Sequence, residues 1–302
     1  MLPSLYSGIS GLRANQQKLN VVANNIANSS TTGFKTQSMN FEDMISQNLS
    51  DPSAPVNEGI GGVNGKQSGL GVKVGGISTD FTNGSMQSTN RNLDFALDGT
   101  GYFVVSPDGG TDDYYTRDGA FVLDKDGSLL TQDGYHVMGY TGEDDTTKQP
   151  KEPLSINQYY KLISGDPSTG DPVVIKGSDD GDPGDKVSSF SVGKDGAITV
   201  KVANGNSYTV GQIGLASFQN EGGLVKMGGN LYKTSPNSGD ATYGTSGSGS
   251  FGDINQGMLE MSNVDLAQQF TDMIIAQRAF QANGKIISTD DEVLQDLVNL
   301  KR

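Results

Sequence analysis

The chain of 302 residues holds a single histidine, His136, whose neighbours Tyr135 and Val137-Met138 place it on a predicted strand. A Ser-His-Asp relay needs a serine exposed on a sharp strand-to-helix turn, and no G-x-S-x-G stretch supplies one. His136 is read as structural. Asp112, Asp113 and Asp118, with Asp124 or Asp126, carry the carboxylates that acid–base work requires. Most stand beside glycine, where aspartate is favoured because its side chain bonds the local backbone in turns. Asp124-Lys125-Asp126-Gly127 opens like a calcium loop, but glycine arrives two positions early and no glutamate closes the spacing. Asp179-Asp180-Gly181-Asp182 with Asp185 reads as a solvated acidic loop. Gly99-Thr100-Gly101 lacks the following helix and lysine of a phosphate cradle. No enzyme, cofactor or metal site is expected.

Composition narrows the classes further. The net charge is −14, which excludes a nucleic-acid partner, since nothing here neutralises a run of phosphates. The 42 glycines, with many Ser, Thr, Asn and Asp, predict a turn-rich β body. There is no cysteine, hence no disulfide frame and no thiolate metal site. No apolar run of about eighteen residues occurs, so no membrane insertion is expected. The first residues are apolar at helical spacing and not in one block, so a cleaved signal peptide is not expected.

The elements that organise such a chain lie at its ends. Leu266, Met273, Phe280, Ile287 and Leu294 recur every seven residues, with Phe270 and Val298 on a companion rail that Gln277, Gly284 and Asp291 interrupt. At the other end Leu5, Leu12, Leu19 and Ile26 make one rail, and Leu2, Ile9, Gln16 and Ala23 the other. Paired stripes at 3.5-residue spacing make a helix–helix seam. Ser262 is the expected N-cap of the second helix, with Asp265 at capping-box spacing. Gly284 costs roughly 1 kcal/mol against Ala inside a helix, so a close-packed neighbour is expected there. Pairing the two helices still leaves apolar flanks, which predicts frayed seams in a single copy and assembly through the ends.

Between the helices, Asn24-Asn25-Ile26-Ala27-Asn28 and the following Ser, Thr and Gly33 end the first helix. Phe41, Met44, Ile45 and Leu49 predict a brief second helix or a helical turn, and residues 50–76 a linker in preference to a strand hugging the terminal helices. From Ile77 the rhythm is of short strands joined by Asp98-Gly99, Asp126-Gly127, Asp133-Gly134, Asp195-Gly196 and Asn204-Gly205, the strongest local hairpin signals. The fold class expected is α+β: N- and C-terminal helices paired as a coiled-coil-like stalk, with a β-rich, meander or barrel-like body inserted between them. The boundaries are 1–30 plus 260–302 for a terminal helical assembly domain, 31–76 plus 245–259 for a connecting segment, 77–140 plus 187–244 for the body, and 141–186 for a small polar insertion.

These residues carry a family resemblance. Ala23-Asn24-Asn25-Ile26-Ala27-Asn28, followed by Thr32-Gly33-Phe34-Lys35, resembles the N-terminal signature of the bacterial flagellar rod and hook proteins. The stretch from Leu93 to Val105, with Asp98, Gly99 and Gly101, is similar to the opening of their β domain. Ser262 to Leu266, Gln277 to Asn283 and Leu297 to Leu300 resemble their C-terminal helix. Phe280-Gln281-Ala282-Asn283 and the final Asn299-Leu300-Lys301-Arg302 are most like the hook subunit, with a distal rod subunit as the second reading. The resemblance implies a homopolymer in the hook or basal body, outside the cell, forming a curved joint that transmits torque. As partners it implies the hook cap, the distal rod, the hook–filament junction proteins and the export apparatus. Two rival classes remain, a secreted β-rich enzyme and a glycan-binding module. Tyr114-Tyr115 and Tyr159-Tyr160 are the aromatics the latter would use.

Overall fold

The computed structural model describes residues 2–54, 61–110, 112–125, 127–141, 149–150, 152–156, 187–202, 207–249 and 251–300. The chain divides into two units: Met1–Ser29, Thr36–Asp80 and Val264–Arg302 form the first, Ser30–Lys35 and Phe81–Asn263 the second.

The first unit is built on two helices, α1 (Leu2–Ala27) and α2 (Leu266–Leu300). They run antiparallel: Ser4 bonds Asp290, Lys18 lies 3.6 Å from Asp272, and Asn25 bonds Gln269. The start of α2 corrects the expected cap. Asp265 itself caps it, its Oδ1 accepting from the backbone N–H of Ala267 at 2.8 Å and of Gln268 at 3.2 Å. Ser262 lies outside the helix, buried at the end of the second unit.

Residues 37–79 correct two further expectations. Strand Gln37–Asp43 pairs antiparallel with Val72–Thr79, and Ser46–Ser50 with Lys66–Gly69, so the expected short helix and linker are the two legs of one β ribbon. The spacing of Phe41, Met44, Ile45 and Leu49 mimicked a helical stripe, yet all four side chains are exposed. Backbone pairing, with no apolar face to bury, decides the conformation here. At the base of the ribbon the N–H of Val72 donates to Ser10 Oγ of α1.

The second unit contains a sheet of 12 strands among the described residues. Its centre is Tyr102–Ser106, flanked by His136–Tyr140 and Tyr114–Thr116 and also paired with Ser207–Ser217. Side chains alternate across a strand. Phe103 and Val105 therefore join Phe95, Leu129, Leu215 and Ile254 in one core, while Tyr102 and Val104 join Tyr115, Phe218 and Tyr232 in another. A strand covered on both faces reads as an unbroken apolar run, which is the sequence seen.

Asp98-Gly99-Thr100-Gly101 does not close a hairpin. Phe95–Asp98 pairs with Asp253–Gln256 from the returning chain. Gly99 and Gly101 have φ of 125° and 127°, and a Cβ on Gly99 would come within 2.8 Å of Gly252. Two such residues redirect the chain, because only glycine enters this region freely. Thr242–Thr245 pairs with Ser207–Ser217, and Asp253–Gln256, from the stretch expected as a connector, pairs with Phe95–Asp98. Leu154 and Ile156, placed in the insertion by composition, lie in the main core. The acidic loop at 179–185, Tyr159-Tyr160 and Asn204-Gly205 lie outside the described residues.

Candidate assembly surface

Residues singled out for catalysis stay apart. His136 pairs along its strand with Leu130 and Ser106. Asp118 accepts from Thr32 Oγ1 and from the N–H of Ala120, and Asp124 from the N–H of Lys125. Asp113 accepts from Tyr243 at 2.9 Å and Gln149 at 2.7 Å, and Asp112 lies 3.7 Å from Lys233. Each of these four carboxylates serves a turn or a pair, and Asp126 lies outside the described residues. Tyr115 is buried and Tyr114 packs edge-on against Tyr135, so this pair forms no open aromatic platform.

The helix pair is organised differently from the expected rails. Its buried residues on α1 are Gly8, Gly11, Ala14, Val22 and Asn25, and on α2 Ala276. A Cβ on Gly8 would lie 3.3 Å from Ile287, and one on Gly11 2.6 Å from Asn283, so the small residues of α1 let α2 approach closely. Gly284 has nothing within 4 Å of where its Cβ would stand; the close-approach glycines are on the other helix. The expected seam residues flank this contact. Leu5, Leu12, Leu19, Ile26, Met273 and Ile287 are half-buried, whereas Ile9, Leu266, Phe270, Phe280, Leu294 and Val298 are exposed.

Further apolar residues missed by a seven-residue count are also exposed: Tyr6, Ile274, Ile275, Ile286, Leu297 and Leu300. Ile274 is 58% and Phe270 50% accessible. Large contiguous apolar surface on a folded chain marks an interaction site. Both helices are continuous, α1 over Leu2–Ala27 and α2 over Leu266–Leu300. What the chain lacks is cover for their side chains. A groove of about 510 Å³ also opens between α1 and the ribbon, lined by Tyr6, Ile9, Arg13, Met44, Leu70 and Val74 among others.

Asn24, Asn25 and Asn28 have separate tasks. Asn28 closes α1 by donating to the Asn24 carbonyl at 2.9 Å. Asn25, fully buried, donates to the Gln37 carbonyl and to Gln269 Oε1, and accepts from the Gln37 N–H. One amide thus ties α1, α2 and the ribbon together within the first unit, using both donors and its acceptor.

Gly33, Phe34 and Lys35 act within the second unit. Gly33 has φ of 65°, and a Cβ there would meet the backbone of Arg117 and Asp118 at 2.8 Å. Phe34 is buried beneath Lys226, whose Nζ lies 4.9 Å from the ring centroid. Lys35 Nζ donates to Glu260 Oε1 at 2.6 Å and to the Thr82 carbonyl at 2.8 Å. Arg117 lies 3.5 Å from Glu260 Oε2 and stacks over Tyr102 at 5.0 Å. The N–H of Gly84 donates to the same carboxylate. This clasp joins residues from four distant parts of the chain, and all three charged side chains are at most 1% accessible. Burial pushes the Lys35 ammonium below its usual value against the pull of Glu260, and pushes Tyr232 beside it up to about 12. Glu260 and Arg117 carried no motif in the sequence; only Lys35, a charge next to Phe34, hinted at a buried partner.

Among the described residues no helix is long and apolar enough to cross a membrane. Comparison with known proteins fits this exposed helical surface. Residues 5–35 match the family model described as flagella basal body rod protein, 96–200 the flagellar hook protein FlgE/F/G D1 domain, and 255–300 the flagellar basal body rod FlgEFG protein C-terminal model. The flagellar basal-body rod protein FlgG of Bacillus subtilis is 45% identical over 303 residues, covering 100% of both chains. In Borreliella burgdorferi, a rod protein FlgG is 34% identical over 304 residues and a hook protein FlgE 30% identical over 444, each covering 100% of both chains. A solved hook protein FlgE2 of Helicobacter pylori aligns with 58% of this chain and 100% of its own at 13% identity and a TM-score of 0.38. The class is thus a structural component of the flagellar basal body and hook. The chain belongs to the flagellar rod/hook protein family.

Proposed function

We propose that this chain is a rod subunit of the flagellar basal body, one that polymerises through its terminal helices into a tubular drive shaft. The observation that carries the assembly reading is the apolar surface of α1 and α2, which the single chain leaves open. On joining a polymer, each side chain such as Phe270 or Phe280 gains roughly 1.5–3 kcal/mol from burial before ordering entropy is subtracted. Leu5, Ile9, Leu12, Leu19 and Ile26 of α1 and Leu266, Phe270, Met273, Phe280, Ile287, Leu294 and Val298 of α2 form the assembly seam, coiled-coil-like between copies. The domain scheme carries into this reading as terminal helices for assembly and a β body for the outer surface. Contacts with the export apparatus and with neighbouring rod, hook and cap components belong to the same reading.

The choice of rod rests on the 45% identity to a rod protein whose alignment spans 303 residues and both whole chains, whereas the hook relative in Borreliella aligns over 444. The hook reading stands second, favoured by the resemblance at Phe280-Gln281-Ala282-Asn283 and Asn299-Leu300-Lys301-Arg302. Electron microscopy of particles carrying a tag on this chain separates them: a straight segment supports the rod, a curved tube the hook. Phe280→Asp tests the assembly surface itself. It is expected to abolish incorporation while the isolated chain melts as the wild type does; normal incorporation refutes the surface.

A further inference from the structure

The register of the helix pair places Ser4 opposite Asp290 and Gly8 against Ile287. Extended to the start of α1 at Leu2, this pairing ends near Glu292, and the last two turns of α2, Val293 to Leu300, run past the end of α1. Every residue of that overhang is exposed, including Val298 at 66% and Leu300 at 82%. At 100° per residue, Val293, Leu294, Leu297, Val298 and Leu300 fall on one stripe. Glu292 and Asp296 border it on one side and Asp291 on the other.

The groove between α1 and the ribbon has the opposite character. Its α1 wall runs from Tyr6 to Gln17, about 17 Å at 1.5 Å per residue, and the overhang needs about 12 Å. Its lining is apolar, and its charged members are Arg13 and Lys73, the latter 3.4 Å from Glu42. The charges of α1 are Arg13 and Lys18 alone, both basic. The groove of a chain lies out of reach of its own overhang, because Ile9 stands level with about residue 285 of the same α2.

We propose that the overhanging end of α2 of one copy seats in the groove between α1 and the ribbon of a second copy. This rests on the terminal helices being the assembly surface, and it adds which segment meets which. The stripe fills the apolar floor, while Asp296 and Glu292 face Arg13 and Lys73. Because the two contact patches differ, the contact is heterologous, the kind that builds an open helical polymer when its rotation does not close a ring.

The absence of cysteine allows a direct test. In cells where the variant replaces the wild-type chain, Ile9→Cys with Leu297→Cys places one thiol mid-groove and one mid-overhang. Within one chain these sites are about 18 Å apart, beyond the roughly 7 Å Cα separation a disulfide tolerates. Mild oxidation of isolated flagellar particles is expected to give a ladder of dimers and higher multimers, and each single variant none. Arg13→Glu and Asp296→Arg are each expected to lower incorporation about two- to fivefold, with the double variant recovering most of it. Particles that contain the double-cysteine chain but give no ladder, or in which the thiol at position 9 crosslinks to a different component, overturn this contact and leave the assembly surface standing. Particles from wild-type cells that lack the chain overturn both.

Discussion

The two units of this chain bury opposite kinds of residue. The second hides its bulk: Phe95, Phe103, Tyr102, Phe121 and Leu154 are essentially inaccessible, and even the charges of Lys35, Arg117 and Glu260 are sealed in with partners. The first, among its described residues, hides Gly8, Gly11, Ala14 and Ala276 with Val22 and Met39 as its larger buried apolar side chains, and leaves Tyr6, Phe270, Ile274 and Val298 in the open. A unit that buries large side chains has completed its core. A unit that buries glycine and alanine has used close approach to fix the geometry of two helices while keeping most of its hydrophobic energy for a contact elsewhere. The same chain therefore carries a finished domain and an unfinished one.

The sharpest way to break this contrast is at the clasp. Glu260→Ala leaves Lys35 and Arg117 as buried, unpaired cations, which is expected to cost about 3–5 kcal/mol of second-unit stability. Denaturant unfolding followed by tyrosine fluorescence measures it. A loss below about 1 kcal/mol, the scale of an exposed pair, would show that the clasp is open to water. In the first unit the vulnerable place is a glycine. Gly11→Leu drives a side chain into Asn283, and overpacking of this kind costs about 1–3 kcal/mol even after the gain in helix propensity. Thermal unfolding followed by circular dichroism should show that loss; an unchanged midpoint would mean the helices are free to part.

Alkaline pH separates the units without mutation. Burial holds Tyr232 and Tyr115 up at about 12, and raises Tyr102 and Tyr243 further. In the unfolded chain these phenols ionise near 10, so above that pH the folded second unit holds more protons than the unfolded chain and loses stability as pH climbs toward 12. Lys35 and Lys226, both lowered by burial, act in the opposite sense up to their ordinary value of 10.5, but they are two groups against four. The second unit's midpoint is expected to fall between pH 10 and 12, and less so in Tyr232→Phe. The smallest expected effect is at Gly284, where an added methyl meets nothing. Gly284→Ala should stabilise the single chain by about 0.5–1 kcal/mol. If it also lowers incorporation into particles, the gap is kept for a neighbouring copy; unchanged incorporation assigns it no such role.

The sequence by itself determined both terminal helices, because seven-residue spacing over that length has no other economical reading, and it located the β body through its aspartate-glycine turns. It also marked Asn25, Gly33 and Lys35 by type, though not what they touch. Tertiary structure alone decided the rest. The closest approach of the helices falls at Gly8, against Ile287, and at Gly11, against Asn283, with Leu5, Leu12 and Leu19 half-buried beside it; it belongs to residues without bulk, and a hydrophobic count overlooks those. Strands Gln37–Asp43 and Ser46–Ser50 pair with Val72–Thr79 and Lys66–Gly69 because backbone pairing outweighs a weak helical stripe. Lys35 found Glu260 across 225 positions of chain, and no local pattern encodes a partner at that distance; only the folded β body, which excludes water from both, makes the pairing necessary.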